Sequence, residues 1–346
     1  MSLRLEAAAP ETIPEILSLL KEAFSAQPDS PNLEPGLLRW KYFDHGPDSG
    51  SSRSYVIRRG TSIAAHACAW PIRLITPSGL VNAVQMLDWA AAKNAPGSGV
   101  MLARKLEEIS PVLITTGGSA ATQEVLPRIG FTRQASFGYY ARVLRPWRQF
   151  RTRPSEGRKA LPRLIRNTLW SRSPLAPVRG WASQASVHPE AELLARLDAE
   201  AVIDPKSSYS AAFLEFMLRC PAARMRYFSL LKDGSAQGYF LLARVGGQAR
   251  LADLRVLSTR PDDWLSACAA AVRTAAEDPN ACELVATAPL PLVAAALEGN
   301  GFRPRGSIPV FVRDPRELLA RSAQIHLSML DDDSAYLNFP DHPYAT

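Results

Sequence analysis

The chain has 346 residues, 47% of them hydrophobic, and a formal net charge of +7 at pH 7. That length suits two domains of about 150 residues each, and the apolar content supports full cores and excludes a wholly disordered chain. No apolar run approaches the roughly 20 residues that span a bilayer, and the opening MSLRLEAAAPET has an early acidic residue and no long apolar block, so neither a membrane span nor a signal peptide is expected.

Arg4 to Ala7 reads as a first short strand. Thr12 is placed to cap a helix whose apolar residues Ile13, Ile16, Leu17, Leu20 and Phe24 recur at helical spacing. Residues 31–35 read as a loop and Leu37 to Phe43 as a second helix, carrying Trp40, Lys41 and Tyr42. Ser54 to Ile57 and Ile63 to Leu74 read as adjacent strands joined at Arg59-Gly60, a tight-turn signal. Pro77-Ser78-Gly79 marks another turn before a long strand that ends near Asp88.

The chain then breaks at Asn94-Ala95-Pro96-Gly97-Ser98-Gly99 and restarts as an amphipathic helix through Val100, Met101, Leu102 and Leu106. A helix opening on glycines presents backbone N–H groups without intrahelical partners, backed by the positive end of the helix dipole. Glycine also removes the Cβ that would hold an anion away, so this turn can cradle phosphate oxygens; an ordinary strand–turn–helix connection explains it equally. The pattern lacks the Gly-Lys-Ser/Thr of a P-loop and the third glycine of a dinucleotide fingerprint, whose place Leu102 takes. A short strand over Val112 to Thr115 and a helix over Ala121 to Ile129 follow, ended by Gly130, and Phe137 to Leu144 reads as a last extended segment.

The turn at 94–99 resembles the acyl-CoA pyrophosphate loop of the GNAT acetyltransferase superfamily, Gln/Arg-x-x-Gly-x-Gly/Ala, with Asn94 in the first position. Ile129-Gly130-Phe131 resembles the family's helix ending in Gly-Phe, and Tyr139-Tyr140-Ala141-Arg142 its last strand. Together with the element order, the resemblance covers about residues 3 to 147. It implies a mixed, mostly antiparallel sheet flanked by helices (α/β of the α+β kind) and acyl-CoA as co-substrate. It places the thioester at the backbone of Leu87 to Ala90, including Trp89, and the pyrophosphate at Asn94, Gly97, Ser98, Gly99 and Val100. Many members place a tyrosine five residues before the Phe, as acid for the leaving thiolate; that position is Leu126 here. Asp88, Tyr139 and Tyr140 are the replacement catalytic candidates, each with a structural or packing role as the competing reading. His66, in an apolar strand, reads as a core histidine. Trp40, Tyr42 and Trp70 read first as core and second as a pocket lining.

From Arg142 to Arg179 there are eleven basic residues and one acidic residue, Glu156. Subtracting that local excess from the total leaves about −3 for the rest, so the basicity belongs to one segment, and no nucleic-acid-reading motif accompanies it. Residues 148–188 are expected to be a solvated linker with a short basic helix over Leu161 to Trp170. An arginine surface for an anionic partner is the second reading.

Residues 189–330 repeat the first half faintly. Helices are expected over Glu190 to Ala199 and Ala211 to Leu218, and strands over Met225 to Leu231, Gly238 to Val245 and Gln248 to Val256, turned at Asp233-Gly234 and Gly246-Gly247. A helix over Trp264 to Ala276, a strand over Glu283 to Thr287, a helix over Leu290 to Leu297, Gly301-Phe302 and a strand through Val310 and Phe311 complete a second, degenerate GNAT-like unit. Its counterpart of the glycine turn, Ser258 to Asp263, has no glycine and two carboxylates, which favour a helix start and repel phosphate. The tail, 331–346, opens on Asp331-Asp332-Asp333, expected to be a solvated turn rather than a metal site. Cys68, Cys220, Cys268 and Cys282 are scattered without CxxC spacing, which fits reduced thiols in a cytoplasmic protein and no zinc.

The expected function is acyl transfer from acyl-CoA to a primary amine of a small molecule or saccharide. A non-catalytic binding or scaffold protein is one alternative, and a tRNA-dependent aminoacyl transferase of the peptidoglycan-bridge type, supported by the basic linker alone, is another.

Overall fold

Two sheets share an apolar core that also takes in the inner faces of helices from both halves. The computed structural model describes all residues except 1–2, 28, 45, 47–51, 135, 154–156, 201–203 and 320–323; Glu156 of the basic segment therefore lies outside the described residues. The chain opens with β1 (Leu3–Ala7), α1 (Ile13–Phe24) and α2 (Pro35–Tyr42), then β2 (Ser54–Arg59), β3 (Ser62–Thr76) and β4 (Gly79–Ala91). Next come α3 (Ser98–Leu106), β5 (Leu113–Thr116), α4 (Ala120–Arg128), β6 (Thr132–Arg133) and β7 (Phe137–Val143). The basic segment supplies α5 (Pro146–Thr152), α6 (Ala160–Ser171) and β8 (Trp181–Ser186). The second half runs α7 (Ala191–Ala199), β9 (Lys206–Ser208), α8 (Ala211–Leu218), β10 (Arg224–Lys232), β11 (Ser235–Val245), β12 (Gln248–Val256) and α9 (Pro261–Glu277). It closes with β13 (Glu283–Ala288), α10 (Pro291–Gly299), β14 (Arg303–Ile308) and β15 (Val310–Arg313).

The first sheet has the order β1-β2-β3-β4-β5-β15-β6, with β9 beside β3; the second has the order β14-β7-β13-β12-β11-β10-β8. Each half thus lends its closing strand to the other. The antiparallel pairs Ala141↔Val285 and Val312↔Ile114 fix the registers. This corrects the reading in which Phe137 to Leu144 and the strand through Val310 each complete their own half. Both strands are central and covered on both faces, with Tyr140 and Ala141 in different cores. A buried central strand is held by ladder hydrogen bonds and packing on two faces, wherever in the chain it originates.

The layer between the sheets joins Leu20, Trp70 and Leu87 of the first half to Phe213, Tyr227 and Leu241 of the second. Each fully buried side chain of this size contributes about 2 kcal/mol. Helices α3 and α4 cover the outer face of the first sheet, burying Leu102, Leu106 and Leu126, and α9 and α10 cover that of the second. Alanines 267, 270 and 271 of α9 are buried, and their small side chains let the helix lie close on its sheet.

Two further expectations are corrected. Residues 148–188 are not simply a solvated linker: β8 pairs with β10, and α6 packs its Leu164 and Asn167 inward. Nor is the aspartate triplet a solvated turn. Asp331 and Asp332 are buried because the segment from Ile325 to Tyr336 threads between the sheets, where polar partners from distant residues meet them.

Candidate active site

The ladder between β3 and β4 slips between Leu87↔Cys68 and Ala90↔His66, so Asp88 and Trp89 stand opposite Ala67 alone. Asp88 takes φ +50°, in the left-handed region that non-glycine residues adopt at a cost. On its other edge β4 pairs with β5 only at Val84↔Leu113 and Gln85↔Ile114. Beyond Gln85 the two parallel strands part, and the bulge sits at the mouth of the wedge between them.

Side chains from three parts of the chain hold the bulge. Tyr42 donates to Asp88 Oδ2 at 2.6 Å, and Lys41 Nζ lies 2.7 Å from the same oxygen and 2.9 Å from Asp333 Oδ2. Burial raises the Asp88 pKa, but the Lys41 charge and the hydrogen bonds from Lys41 and Tyr42 outweigh it and hold the carboxyl below its usual range. Burial likewise opposes a charged Lys41, and the Asp333 and Asp88 carboxylates reverse that, raising its pKa well above the ordinary value. The pair is therefore ionised and mutually locked. His66, fully buried, contacts Ser54 Oγ through Nε2 at 3.0 Å and the Asp88 carbonyl through Nδ1 at 3.2 Å. Burial pushes it down to about 4, so the ring is neutral, and the network assigns the proton to Nδ1. It is the core histidine expected. Trp40, stacked on Phe216 at 4.8 Å, and Trp70 are core as well.

The turn into α3 lies beside this bulge. Gly97 has φ +83°, with open space where a Cβ would project. Ser98 Oγ turns inward to the carbonyls of Ala95 and Ala64, at 2.7 and 2.9 Å. A Cβ on Gly99 would meet Ala91 Cβ at 3.2 Å and Trp89 Nε1 at 3.4 Å, and that indole donates to the Gly99 carbonyl at 2.9 Å. Trp89 therefore backs the turn from inside, while its outer side opens on a shallow groove of about 520 Å³ lined by Gly97, Val100, Met101, Arg104, Lys105 and Glu108. Asn94 is exposed, and its carbonyl accepts from Arg59. The later first-turn N–H groups of the helix and the Arg104 side chain suit this side to an anion; the Ser98 N–H is taken by the Ala95 carbonyl, and Lys105 is paired with Glu108 at 2.6 Å.

Tyr139 and Tyr140 stand elsewhere. Both ride on β7 in the second sheet, on opposite faces. Tyr139 packs against the layer between the sheets, its hydroxyl pushed up to about 12 by burial, near Arg250 and Glu283. Tyr140 faces α10 and donates to Glu298 at 3.3 Å. Neither is a partner of the Asp88 carboxylate. Leu126 is fully buried beneath α4. The residues that sequence reasoning left out are Lys41 and Asp333; the signal for Lys41 was a lone cation between Trp40 and Tyr42 on a helix otherwise destined for the core.

The second half repeats the wedge. Strands β12 and β13 pair from Gln248↔Glu283 to Leu251↔Ala286 and then part around a cavity of about 340 Å³, walled by residues including Leu254, Val256, Leu290 and Leu327. At the α9 start, the Asp263 carboxylate takes up Lys232 Nζ and Ser258 Oγ, both at 2.7 Å. Asp262 and Asp263 in the first turn of α9 disfavour an anion at this helix end.

Among the described residues no group of three or more His, Cys, Asp or Glu could hold a metal ion, and the four cysteines are free and buried. No helix of the described residues is long and apolar enough to cross a membrane.

No protein-family model and no curated protein matches the chain. Solved structures do. A GCN5-related N-acetyltransferase from Anabaena variabilis is 11% identical, with a TM-score of 0.61, over 90% of this chain and 73% of that one. A conserved protein of unknown function from Enterococcus faecalis, a probable N-acyltransferase, is 10% identical with a TM-score of 0.55, over 90% and 72%. A GCN5-related N-acetyltransferase from Kribbella flavida is 13% identical with a TM-score of 0.55, over 90% and 71%. The chain has the GNAT fold, in a two-sheet arrangement.

Proposed function

We propose that the protein is an acyl-CoA-dependent N-acyltransferase that uses the first sheet's wedge, and that the acceptor is a primary amine on a small molecule or saccharide. The observation that carries this reading is the adjacency of three features: the wedge beyond Gln85, the bulge at Asp88 and the open glycine turn at Gly97. The turn suits a pyrophosphate, since a Cβ at residue 97 would occupy the open space that an anion would approach. Gly97, Val100 and Arg104 would hold the phosphates, and the acyl thioester supplies the electrophilic carbonyl.

The protein's own part is to bind, orient and polarise. Backbone N–H groups between Leu87 and Ala90, beyond the last β4–β5 pair, are the candidate donors to the carbonyl oxygen. The C–N bond forms as the C–S bond breaks, and the proton lost by the amine passes to solvent water. Asp88 is a weak base while Lys41 neutralises it, so its better role is positioning: it fixes the bulge. With Leu126 in the acid's usual place, the thiolate takes its proton from water. The assignment of roles to segments 1–147, 148–188, 189–330 and 331–346 forms part of this proposal, with the second half walling the acceptor site.

A second reading has a specific observation in its favour. The locked Asp88–Lys41–Asp333 group and the buried Leu126 also suit a GNAT-fold protein that binds ligand without turnover. Acetyl-CoA with a panel of amines, followed by free-thiol release, separates the two. Thiol release with any amine supports transfer, and CoA-dependent thermal protection without release supports binding alone.

A further inference from the structure

Eleven large apolar side chains are exposed among the described residues, and five of them fall between residues 147 and 169. Leu161 and Leu169 are 62% exposed and Ile165 57%. Their four-residue spacing makes one stripe along α6. The opposite side of α6 is committed: Leu164 and Asn167 are buried, and Asn167 Nδ2 donates to Gln149 Oε1 of α5 at 2.8 Å. Helix α5 adds exposed Trp147 and Phe150, whose rings meet edge-on. Five exposed large apolar side chains on two consecutive helices are more than an isolated exposed leucine.

Exposed cations lie at its N-terminal end. Arg151, Arg158 and Lys159 are exposed at the base of the hairpin. Arg166 stacks on Trp170 at 4.4 Å, and Arg305, from the edge strand β14, approaches the same ring at 5.8 Å. Burial, and then the mutual repulsion of Arg153, Arg163, Arg166 and Arg305, lowers the pKa of Arg163 and Arg166. These arginines are held by the chain itself, since Arg153 donates to the Thr346 and Tyr344 carbonyls, Arg305 to that of Ala345 and Arg166 to Asn167, so it is the exposed Arg151, Arg158 and Lys159 that meet an anionic surface.

We propose that the outer face of α6 docks on an anionic lipid surface, with Leu161, Ile165 and Leu169 entering the headgroup boundary and the exposed Arg158 and Lys159 at the start of the helix binding lipid phosphates. An interfacial helix has this composition: aromatic and aliphatic residues on one side, Lys and Arg beside them. A second copy of the chain is a poor occupant, because a symmetric contact brings like charges together. Nucleic acid would satisfy the arginines and leave the apolar stripe in water. The docking is independent of the acyltransfer chemistry, since no residue of the α3 turn or the Asp88 bulge takes part.

Flotation of the full chain with phosphatidylcholine vesicles, with and without phosphatidylglycerol, tests this. Flotation is expected only with the anionic vesicles, weakening as salt rises. The variants L161S/I165S/L169S and R158E/K159E are each expected to bind at least about tenfold more weakly with an unchanged melting temperature, since the altered side chains are exposed. The proposal is overturned if the wild-type chain fails to float with anionic vesicles, or if both variants float as well as it does. It is equally overturned if the wild type sediments as a dimer that L161S/I165S/L169S dissociates, because a second copy then covers the stripe.

Discussion

The Lys41 ammonium lies 2.7 Å from the Asp88 carboxylate and bridges it to Asp333, 245 positions further along the chain. Replacing Lys41 with Met leaves two partly buried carboxylates facing each other without their buried cation. The expected loss is about 3–5 kcal/mol at neutral pH. It should shrink in acid, where the carboxylates protonate, and the triple change K41M/D88N/D333N should recover part of it. Urea denaturation across pH measures all three.

The pH dependence of stability should be almost flat near pH 5 and should tilt when one group is removed. Burial pushes Asp331 and Asp332 up to about 6, so the native state holds their protons where the unfolded chain has released them. Stability from these groups is present below about 4 and lost as pH rises to about 6. Burial pushes His66 and His326 down to about 4, so there the unfolded state binds the extra protons and stability is lost as pH falls from about 6.5 to 4. The two pairs oppose each other. D331N, which keeps an acceptor for Ser207, Tyr209 and Ser328, should make stability rise with pH relative to wild type by up to about 1.4 kcal/mol per pH unit between 4 and 6. A slope unchanged from wild type would show that Asp331 titrates normally.

The exchanged strands make the halves interdependent. Calorimetry should find one unfolding transition for the full chain, with calorimetric and van't Hoff enthalpies equal. A chain ended after residue 147 lacks β15, leaves both the β5 edge and β6 unpaired, and should show no cooperative melt. Two separate transitions in the intact protein would mean that the sheets fold independently.

Gly97 and Gly99 should respond differently to substitution. At residue 97 the left-handed backbone makes alanine cost about 1 kcal/mol, with its methyl entering the open groove. At residue 99 valine meets Ala91 and the Trp89 indole and should destabilise more, by about 1–3 kcal/mol. Thermal melts of G97A and G99V check the order.

Much of this architecture is legible in the residues. Helices such as α1 and α8 and strands such as β11 and β12 follow from apolar periodicity, and the glycine turn from its φ requirement. Strand partners are not legible. Phe137–Val143 and Val310–Arg313 are short apolar runs whose pattern fits a central position in either sheet, and the choice was made by contacts far away in sequence. The same holds at the site. Asp331-Asp332-Asp333 looks solvated in isolation, and only the fold brings Ser207, Thr116 and Lys41 to it. Tyr139 and Tyr140 lie on an exchanged strand, in the sheet other than that of Asp88, which no local pattern reveals.

The central claim is that the N–H groups following Gly97 grip a pyrophosphate at the first sheet's wedge. Calorimetric titration of the full chain and of G97A with CoA and with dephospho-CoA tests it most directly. The account predicts saturable binding of both ligands by the wild type, weaker binding of dephospho-CoA if Arg104 or Lys105 meets the extra phosphate, and at least about a tenfold loss of CoA affinity in G97A, which should remain folded. No heat of binding in the wild type, or equal CoA affinity in G97A, would contradict it.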